Sequence, residues 1–312
     1  MRRGYGRQIR DMLTETIQTI LRLKREKNAL LLVHNYQLPE IQDIADVLGD
    51  SLDLSRRAAA AEEKVIVFCG VRFMAETAKI LAPEKTVLLP RRDAGCPMAE
   101  TIDADSLRKM KLQYPKAKVV TYVNSTAEVK AESDVCCTSA NAVKVVQDIE
   151  ADEILFTPDR NLASYVQRFT QKKIIPWQGF CYVHEQFRLE DVIHAKEAHP
   201  NALLLVHPEC PPEIVDMADQ VLSTSGMVRF SRESSAKAFL IATEEGLIHR
   251  LKSENPYKAF YSAGPARTCL NMKRTRLWDV AAALEHDQYR MDVPEPVASR
   301  ARRALEAMLA YA

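Results

Sequence analysis

The sequence predicts an α/β protein of three related three-layer αβα domains, set about a pseudo-threefold axis, with short parallel sheets and a site at their junction. Three observations carry this. Three segments run in parallel: LLLVHNYQLPEIQDIADVLGDS from Leu30, VVTYVNSTAEVKAESDVCCTS from Val119 and LLLVHPECPPEIVDMADQVLST from Leu203. In them Glu40, Glu128 and Glu213 are followed six residues later by Asp46, Asp134 and Asp219, and eleven residues later by Ser51, Ser139 and Thr224. The intervals of 88 residues (Glu40 to Glu128) and 85 residues (Glu128 to Glu213) suit a small α/β domain. Within each unit, apolar runs of strand length alternate with helix-like segments, which implies parallel sheets between helices.

Each unit opens with an apolar strand, as at Ala29 to Val33 and Ala202 to Val206. A polar turn and a helix follow. Ile41, Ile44, Ala45 and Leu48 fall at i, i+3, i+4 and i+7, and Ile214, Met217, Ala218 and Val221 do the same, predicting amphipathic helices through those positions. Pro39 and Pro212 suit a first helical turn, where a missing N–H costs nothing. Ser51, Ser139 and Thr224 read as caps of a second helix. Further strands are expected at Val65 to Phe68, Glu153 to Phe156 and Ala238 to Ile241, and again at Thr86 to Leu89, Lys173 to Ile175 and Lys258 to Tyr261. The domains divide as 28–115, 116–200 and 201–285, with an N-terminal helical extension over 1–27 and a C-terminal helical tail over 286–312, where Glu295 to Leu309 has the pattern of a helix covering the core.

Composition narrows the function. Of the 312 residues, 47% are apolar and 27% charged, as in ordinary soluble domains, and the net charge of +1 gives no global field to recruit nucleic acid. No run approaches the ~18 apolar residues of a membrane span. Residues 1–29 do not read as a signal peptide, and seven cysteines, an odd number, fit reduced thiols. The expectation is a cytoplasmic protein with neither membrane nor nucleic acid as partner. Glycine, at 9 residues, is scarce, and neither GxGxxG nor GxxxxGK[ST] occurs, which removes the common nucleotide loops. The run from His184 to Arg188 begins like HExxH but ends in Arg, and no PCxxC follows His207-Pro208-Glu209.

The repeat also sorts the polar residues. His34 and Tyr36, Tyr122 and Asn124, His207 and Glu209 stand six and four residues before the three register glutamates, where a strand ends. Side chains two apart on a strand point to one side, so each unit presents a polar pair at the carboxyl edge of its sheet, where open α/β sheets bind ligands. Three helix N-termini facing one centre would add an anion cradle, implying a small polyanionic substrate. Cys96 lies 45 residues after Ser51, Cys181 lies 42 after Ser139 and Cys269 lies 45 after Thr224, so one cysteine per unit occupies an equivalent loop. Three thiolates are one fewer than a closed zinc or iron-sulfur site uses, which leaves a metal open to act as a Lewis acid. Cys69, Cys136, Cys137 and Cys210 lack such counterparts and read as structural.

Over about Asn28 to Leu284 the chain resembles the quinolinate synthases, the A proteins of bacterial NAD biosynthesis. The segments that carry the likeness are HNYQLPEIQDIADVLGDSLDLSR, FCGVRFMAETAKIL, AGCPMA, YVNSTAEVKAESDVCCTSANA, FTPDRNLASYV, WQGFCYVHE, HPEC, ADQVLSTSGM, TEEGL and CLNMKRTRL. The resemblance implies condensation of iminoaspartate with dihydroxyacetone phosphate to quinolinate, with release of phosphate and two waters. It also implies a [4Fe-4S] cluster on Cys96, Cys181 and Cys269 with one open iron. Glu209, Tyr36 and Tyr122 would then handle proton transfers, with Glu209 as base. His34, His207, Asn124, Ser51, Ser139 and Thr224 would hold carboxylates and phosphate, with His184 nearby. The enzyme that makes iminoaspartate is the expected protein partner. Arg72 and Arg91 stand where the family commonly has histidine and aspartate. The rival readings are an iron-sulfur redox carrier or sensor, which would want four protein ligands, and a zinc hydrolase using His207 and Glu209.

Overall fold

The computed structural model of the protein describes residues 2–311. The chain runs through α1 (Arg2–Lys27), β1 (Ala29–His34), α2 (Pro39–Gln42), β2 (Val47–Gly49), α3 (Ser51–Ala59), β3 (Val65–Cys69), α4 (Arg72–Leu81), β4 (Thr86–Leu88) and α5 (Ala104–Gln113). The same string recurs as β5 (Lys118–Tyr122), α6 (Ala127–Ala131), β6 (Val135–Cys137), α7 (Ala142–Asp148), β7 (Glu153–Thr157), α8 (Arg160–Gln167), β8 (Lys173–Pro176) and α9 (Leu189–Ala198). It recurs once more as β9 (Leu203–Val206), α10 (Pro212–Val215), β10 (Gln220–Val221), α11 (Thr224–Glu233), β11 (Ala238–Ala242), α12 (Leu247–Glu254), β12 (Ala259–Ser262) and α13 (Leu277–His286), and α14 (Glu295–Ala310) follows.

Three four-stranded sheets result, ordered β2-β1-β3-β4, β6-β5-β7-β8 and β10-β9-β11-β12, and every pairing is parallel. The order is the same each time. It reverses direction beside the first strand of each unit, the kind of switch point at which α/β sheets open a crevice. The three-domain α/β architecture expected from the sequence is therefore the one the chain adopts.

Two elements differ. The helical spacing from Ile41 to Leu48 and from Ile214 to Val221 predicts helices of two turns, yet α2 ends at Gln42 and α10 at Val215, and the chain becomes the edge strands β2, with Leu32 opposite Val47, and β10, with Leu205 opposite Gln220. The repeat aspartate explains why. Asp46 donates its backbone N–H to the Leu31 carbonyl (3.1 Å), and its carboxylate accepts the Leu31 N–H (2.7 Å). Asp134 brackets Val119 (3.1 and 2.8 Å) and Asp219 brackets Leu204 (3.0 and 2.7 Å) in the same way. The bracket satisfies a strand N–H that lies before the ladder begins and starts the edge strand one residue later, overriding a weak helical preference.

Alternate residues of the first strands enter different cores. Leu30 and Leu32 of β1, Val120 of β5 and Leu205 of β9 join one central core, while Leu31 and Val33, Val119, and Leu204 and Val206 face three separate outer cores. Both faces are covered, which is why these strands read as unbroken apolar runs. The outer helices are exchanged in a ring. Leu107 of α5 packs on the second sheet, Val192 of α9 on the third, and Leu277, Val280, Ala283 and Leu284 of α13 return to the first sheet beside Ile20 and Leu23 of α1. Helix α14 buries Ala301, Ala304, Leu305 and Met308 in the central core, as its amphipathic pattern predicts. Among the described residues no helix is long and apolar enough to cross a membrane.

Candidate functional site

The carboxyl ends of β1, β5 and β9 point at one another, and between them lies a cavity of about 730 Å³, its mouth included. All thirteen residues singled out by the sequence line it: His34, Tyr36, Ser51, Cys96, Tyr122, Asn124, Ser139, Cys181, His184, His207, Glu209, Thr224 and Cys269. Val71, Phe73, Met74, Met98, Val183 and Met272 supply apolar wall.

Each polar pair is placed by its strand end. In the first unit the Tyr36 N–H donates to His34 Nδ1 (3.2 Å), and in the third the Glu209 N–H donates to His207 Nδ1 (3.3 Å), so the two turns are copies. An Nδ1 that accepts leaves the proton on Nε2, and both imidazoles become donors at that atom. His207 Nε2 lies 3.2 Å from Ser139 Oγ, and Asn124 Nδ2 lies 3.5 Å from Glu209 Oε1, so the second and third units meet at these groups. Burial, then the neighbouring His207, push the His34 imidazole down to about 3, which keeps it neutral. Burial likewise lowers His207. Burial and the charge of Glu209 raise both Tyr36 and Tyr122, so both phenols keep their protons.

Glu209, only 3% exposed, is the charged centre. Burial works to raise its carboxyl, but His184 beside it outweighs that and holds it well below the usual carboxylate range. His184 Nδ1 lies 2.9 Å and His207 Nδ1 3.3 Å from Glu209 Oε2, and the two rings stack at 4.7 Å. The His184 approach is close but off the nitrogen's axis, leaving Nδ1 without an aligned hydrogen bond.

The three hydroxyls reach the cavity without being caps. Asp50 caps α3 through the Leu52 and Asp53 N–H groups, and Ser223 caps α11 through the Gly226 N–H. Ser51 and Thr224 are therefore first helical residues, and Ser139 sits in a turn ahead of α7, three residues before Ala142. Capping falls to Asp50 and Ser223 because an N-cap needs extended backbone, which those residues have. The cap side chains also join units, since Ser223 Oγ donates to Asp50 Oδ2 at 3.1 Å.

The cysteine loops are equivalent in detail. Each sulfur residue starts one tight turn, in which the N–H four residues on donates to its carbonyl: Glu100 to Cys96 (3.2 Å), Glu185 to Cys181 (2.9 Å) and Lys273 to Cys269 (3.1 Å). The N–H three residues on, at Ala99, His184 and Met272, faces the sulfur and stabilises its thiolate. Gly179 permits the second loop, because a Cβ there would come within 2.6 Å of the Pro158 carbonyl. Burial dominates even so, pushing Cys96 up to about 12 and raising Cys181 and Cys269, with Cys269 raising both Cys96 and Cys181 further. Half-buried sulfurs with oriented N–H donors, neutral unless a cation draws off their protons, fit a bound metal or cluster. Cys69, Cys136, Cys137 and Cys210 are fully buried elsewhere. A second donor set overlaps the first, with Cys181 Sγ, a His184 ring nitrogen and a Glu209 oxygen within 4.8 Å of one another.

Comparison with known proteins settles the lineage. Residues 18–310 match the family described as quinolinate synthetase A protein. The chain is similar to the quinolinate synthase of Methanoregula boonei, 56% identical over 293 residues that cover 94% of this chain and 97% of that protein. It is 55% identical over 300 residues to that of Geobacter sp. strain M21 and 53% identical over 299 residues to that of Thermodesulfovibrio yellowstonii, each covering 96% of this chain and 99% of the relative. The chain belongs to the quinolinate synthetase A protein family.

Residues that the sequence reading passed over in this family member have no counterpart in all three units. Thr243 follows β11, with its hydroxyl 2.5 Å from the Tyr36 phenol and 2.8 Å from His184 Nε2. Glu244, fully buried, accepts the Cys269 N–H (3.0 Å) and the Gly246 N–H (2.7 Å) and pairs with Lys273 (3.0 Å), whose ammonium also donates to the Tyr36 carbonyl (2.5 Å). Their only sequence signal was the segment TEEGL. The two family departures lie apart from the cavity: Arg72 pairs with Glu76 (2.9 Å), and Arg91 with Asp93 (3.0 Å).

Proposed function

We propose that the chain is a cytoplasmic quinolinate synthase, condensing iminoaspartate with dihydroxyacetone phosphate to quinolinate, phosphate and two waters. The observation that carries this reading is the meeting of three half-buried sulfurs and three polar pairs, one of each per repeat, in one cavity of a chain whose relatives bear that name. Cys96, Cys181 and Cys269 would hold a [4Fe-4S] cluster. When bound, the cluster supplies a Lewis acid that polarises a substrate oxygen or nitrogen.

The chain's own groups do the rest. Glu209 is the base: it stays ionised, sits 3% exposed beside His184, His207 and Asn124, and takes a carbon-bound or nitrogen-bound proton of the substrate. Tyr36 and Tyr122 keep their protons and donate to oxygens that leave as water. The Nε2–H groups of His34 and His207, the Asn124 amide, and the Ser51, Ser139 and Thr224 hydroxyls bind carboxylate and phosphate as neutral donors, so the substrate's charges are matched by hydrogen bonds and by the helix N-termini of α3 and α11. His184 orients Glu209. Phe73, Met74 and Met272 keep bulk water from an unstable imine. That lability makes the iminoaspartate-forming enzyme the expected partner.

The test is purification without oxygen, metal and sulfide analysis, and assay of quinolinate. Iron and sulfide near four each and turnover are expected; Cys181→Ala loses the iron, while Glu209→Gln keeps it and loses most of the rate. A Glu209→Gln protein at the parental rate removes the base. The Cys181, His184 and Glu209 cluster favours a second reading, a single zinc ion, which stoichiometric zinc without sulfide would establish.

A further inference from the structure

A line of polar groups crosses from the third unit into the first and back again. Arg250 of α12 gives Nη1 to two acceptors of the first unit, Asn35 Oδ1 at 2.8 Å and the Leu48 carbonyl at 2.7 Å. Asn35 Nδ2 in turn lies 2.9 Å from Oγ1 of Thr224, the first residue of α11. Asn35 is fully buried and Thr224 is 3% exposed. Thr224 lines the cavity, whereas Asn35 and Arg250 are not on its wall. The Asn35 backbone is pinned as well: its N–H donates to the Gly49 carbonyl (3.1 Å), and its own carbonyl accepts Gln42 Nε2 (3.2 Å).

Bonding chemistry fixes which atom gives. A guanidinium has only donors, so the Asn35 oxygen is the atom that faces Arg250. The amide nitrogen then faces Thr224, and because it too only donates, Thr224 Oγ1 is the acceptor. A hydroxyl that accepts on one side keeps its single proton for another. Among the described residues no acceptor takes that proton, and the hydroxyl stands on the cavity wall. The Arg250 charge at the far end of the amide polarises Nδ2–H, which makes the threonine O–H a stronger donor in its turn. The arrangement is peculiar to this junction. Asn35 stands five residues before Glu40, and the same place holds Val123 in the second unit and Pro208 in the third, neither with a side-chain donor.

We infer that Asn35 and Arg250 are positioning residues that aim the Thr224 hydroxyl, as a donor, at an anionic oxygen of the substrate, carboxylate or phosphate. The inference rests on the role proposed above for Thr224 as a binding group. A free hydroxyl turns among its staggered directions and pays to be ordered when a ligand arrives; one held by Asn35 is ordered beforehand. The same hold selects for charge, since a hydroxyl that presents its proton to the cavity attracts an anion and offers an ammonium group nothing.

The test uses oxygen-free preparations normalised to bound iron. It measures KM and kcat for both substrates, the Kd of quinolinate by titration calorimetry, and the inhibition constant of inorganic phosphate. Asn35→Asp is nearly isosteric and gives Arg250 a full ion pair, so a merely structural role survives it. Its carboxylate accepts where the amide gave, which turns the Thr224 proton away from the cavity. If the anion is a carboxylate, quinolinate Kd and the KM for iminoaspartate are expected to rise about tenfold or more, the worth of a hydrogen bond to a charged group. If it is a phosphate, the phosphate inhibition constant and the KM for dihydroxyacetone phosphate rise instead. In either case kcat stays within about threefold and the urea midpoint is not lowered. Thr224→Val shows the same rise, and adding Asn35→Asp to it adds nothing, because one donor is removed twice. Plain repulsion by the new carboxylate would persist without the hydroxyl, so losses that multiply overturn the inference, as do parental constants in Asn35→Asp. Where that variant binds less iron, Arg250→Met replaces it: the amide is then free to turn over, the same constants are expected to rise about threefold or more, and parental values overturn the inference likewise. Parental constants in Thr224→Val, with quinolinate still formed, overturn the inference while leaving the function intact. A parent that forms no quinolinate overturns the function itself.

Discussion

Replacing Glu244 by glutamine tests how the third cysteine loop is held. Glu244 is fully buried, its partner Lys273 is 11% exposed, and together they tie Cys269, Gly246 and the Tyr36 carbonyl into one knot. Removing one partner of a buried pair leaves the other charge uncompensated, at a cost of ~3–5 kcal/mol. Glutamine also has a single acceptor oxygen for two N–H donors, and one unpaired N–H accounts for ~1–3 kcal/mol of that loss. Adding Lys273→Met removes the stranded ammonium, so the double variant should recover ~2 kcal/mol or more relative to the sum of the two single changes. Urea midpoints of the four proteins, with iron measured in each, read this directly. Losses that simply add, within ~0.5 kcal/mol, would show that the two charges do not interact and would refute the reasoning.

Other expectations follow from single features. His34 is held near pKa 3 in the fold and near 6.5 when unfolded, so the unfolded chain binds the extra proton; stability is full above pH 6.5 and falls by ~1.4 kcal/mol per pH unit toward pH 3. His34→Gln should remove that slope from urea midpoints measured at pH 7, 6 and 5, and an unchanged slope would defeat the assignment. Cys136→Ser and Cys210→Ser place a hydroxyl in full burial and should cost ~1–2 kcal/mol yet retain parental iron; loss of iron from either would show that the cysteines were sorted wrongly. Asp46→Ala, Asp134→Ala and Asp219→Ala remove the same bracket and should each lower stability by ~1–2 kcal/mol, values unequal by more than that marking the three brackets as inequivalent.

The repeat was legible because it recurs in sequence at fixed spacing, and what recurs in sequence recurs in space. Strand alternation placed His34 with Tyr36 and His207 with Glu209, and the same register brought Cys96, Cys181 and Cys269 into one cavity. Edge strand β2 was not legible, because Ile41, Ile44, Ala45 and Leu48 satisfy a helical period and nothing local reveals that Asp46 reaches back to Leu31. The capping hydroxyls were misplaced by one residue at Ser51 and Thr224, since Asp50 and Ser223 are equally good caps and only backbone geometry decides. Thr243 and Glu244 escaped for a different reason. Gly70 and Val71 follow the equivalent strand in the first unit and Pro158 and Asp159 in the second, so symmetry itself hid the residues that break it.

The ring of exchanged helices bears on the order in which the chain is made. The first sheet is complete at Leu88, but the helix that seals its outer face begins at Leu277, 189 residues later. At a ribosome's pace of roughly 5–20 residues per second, that interval is on the order of 10–40 s. Throughout it the newborn N-terminal third has only α1 over that apolar face while its neighbours emerge, so a truncated or stalled product would be greasy and a substrate for chaperones. A circular permutation that places α13 ahead of α1 would close that window.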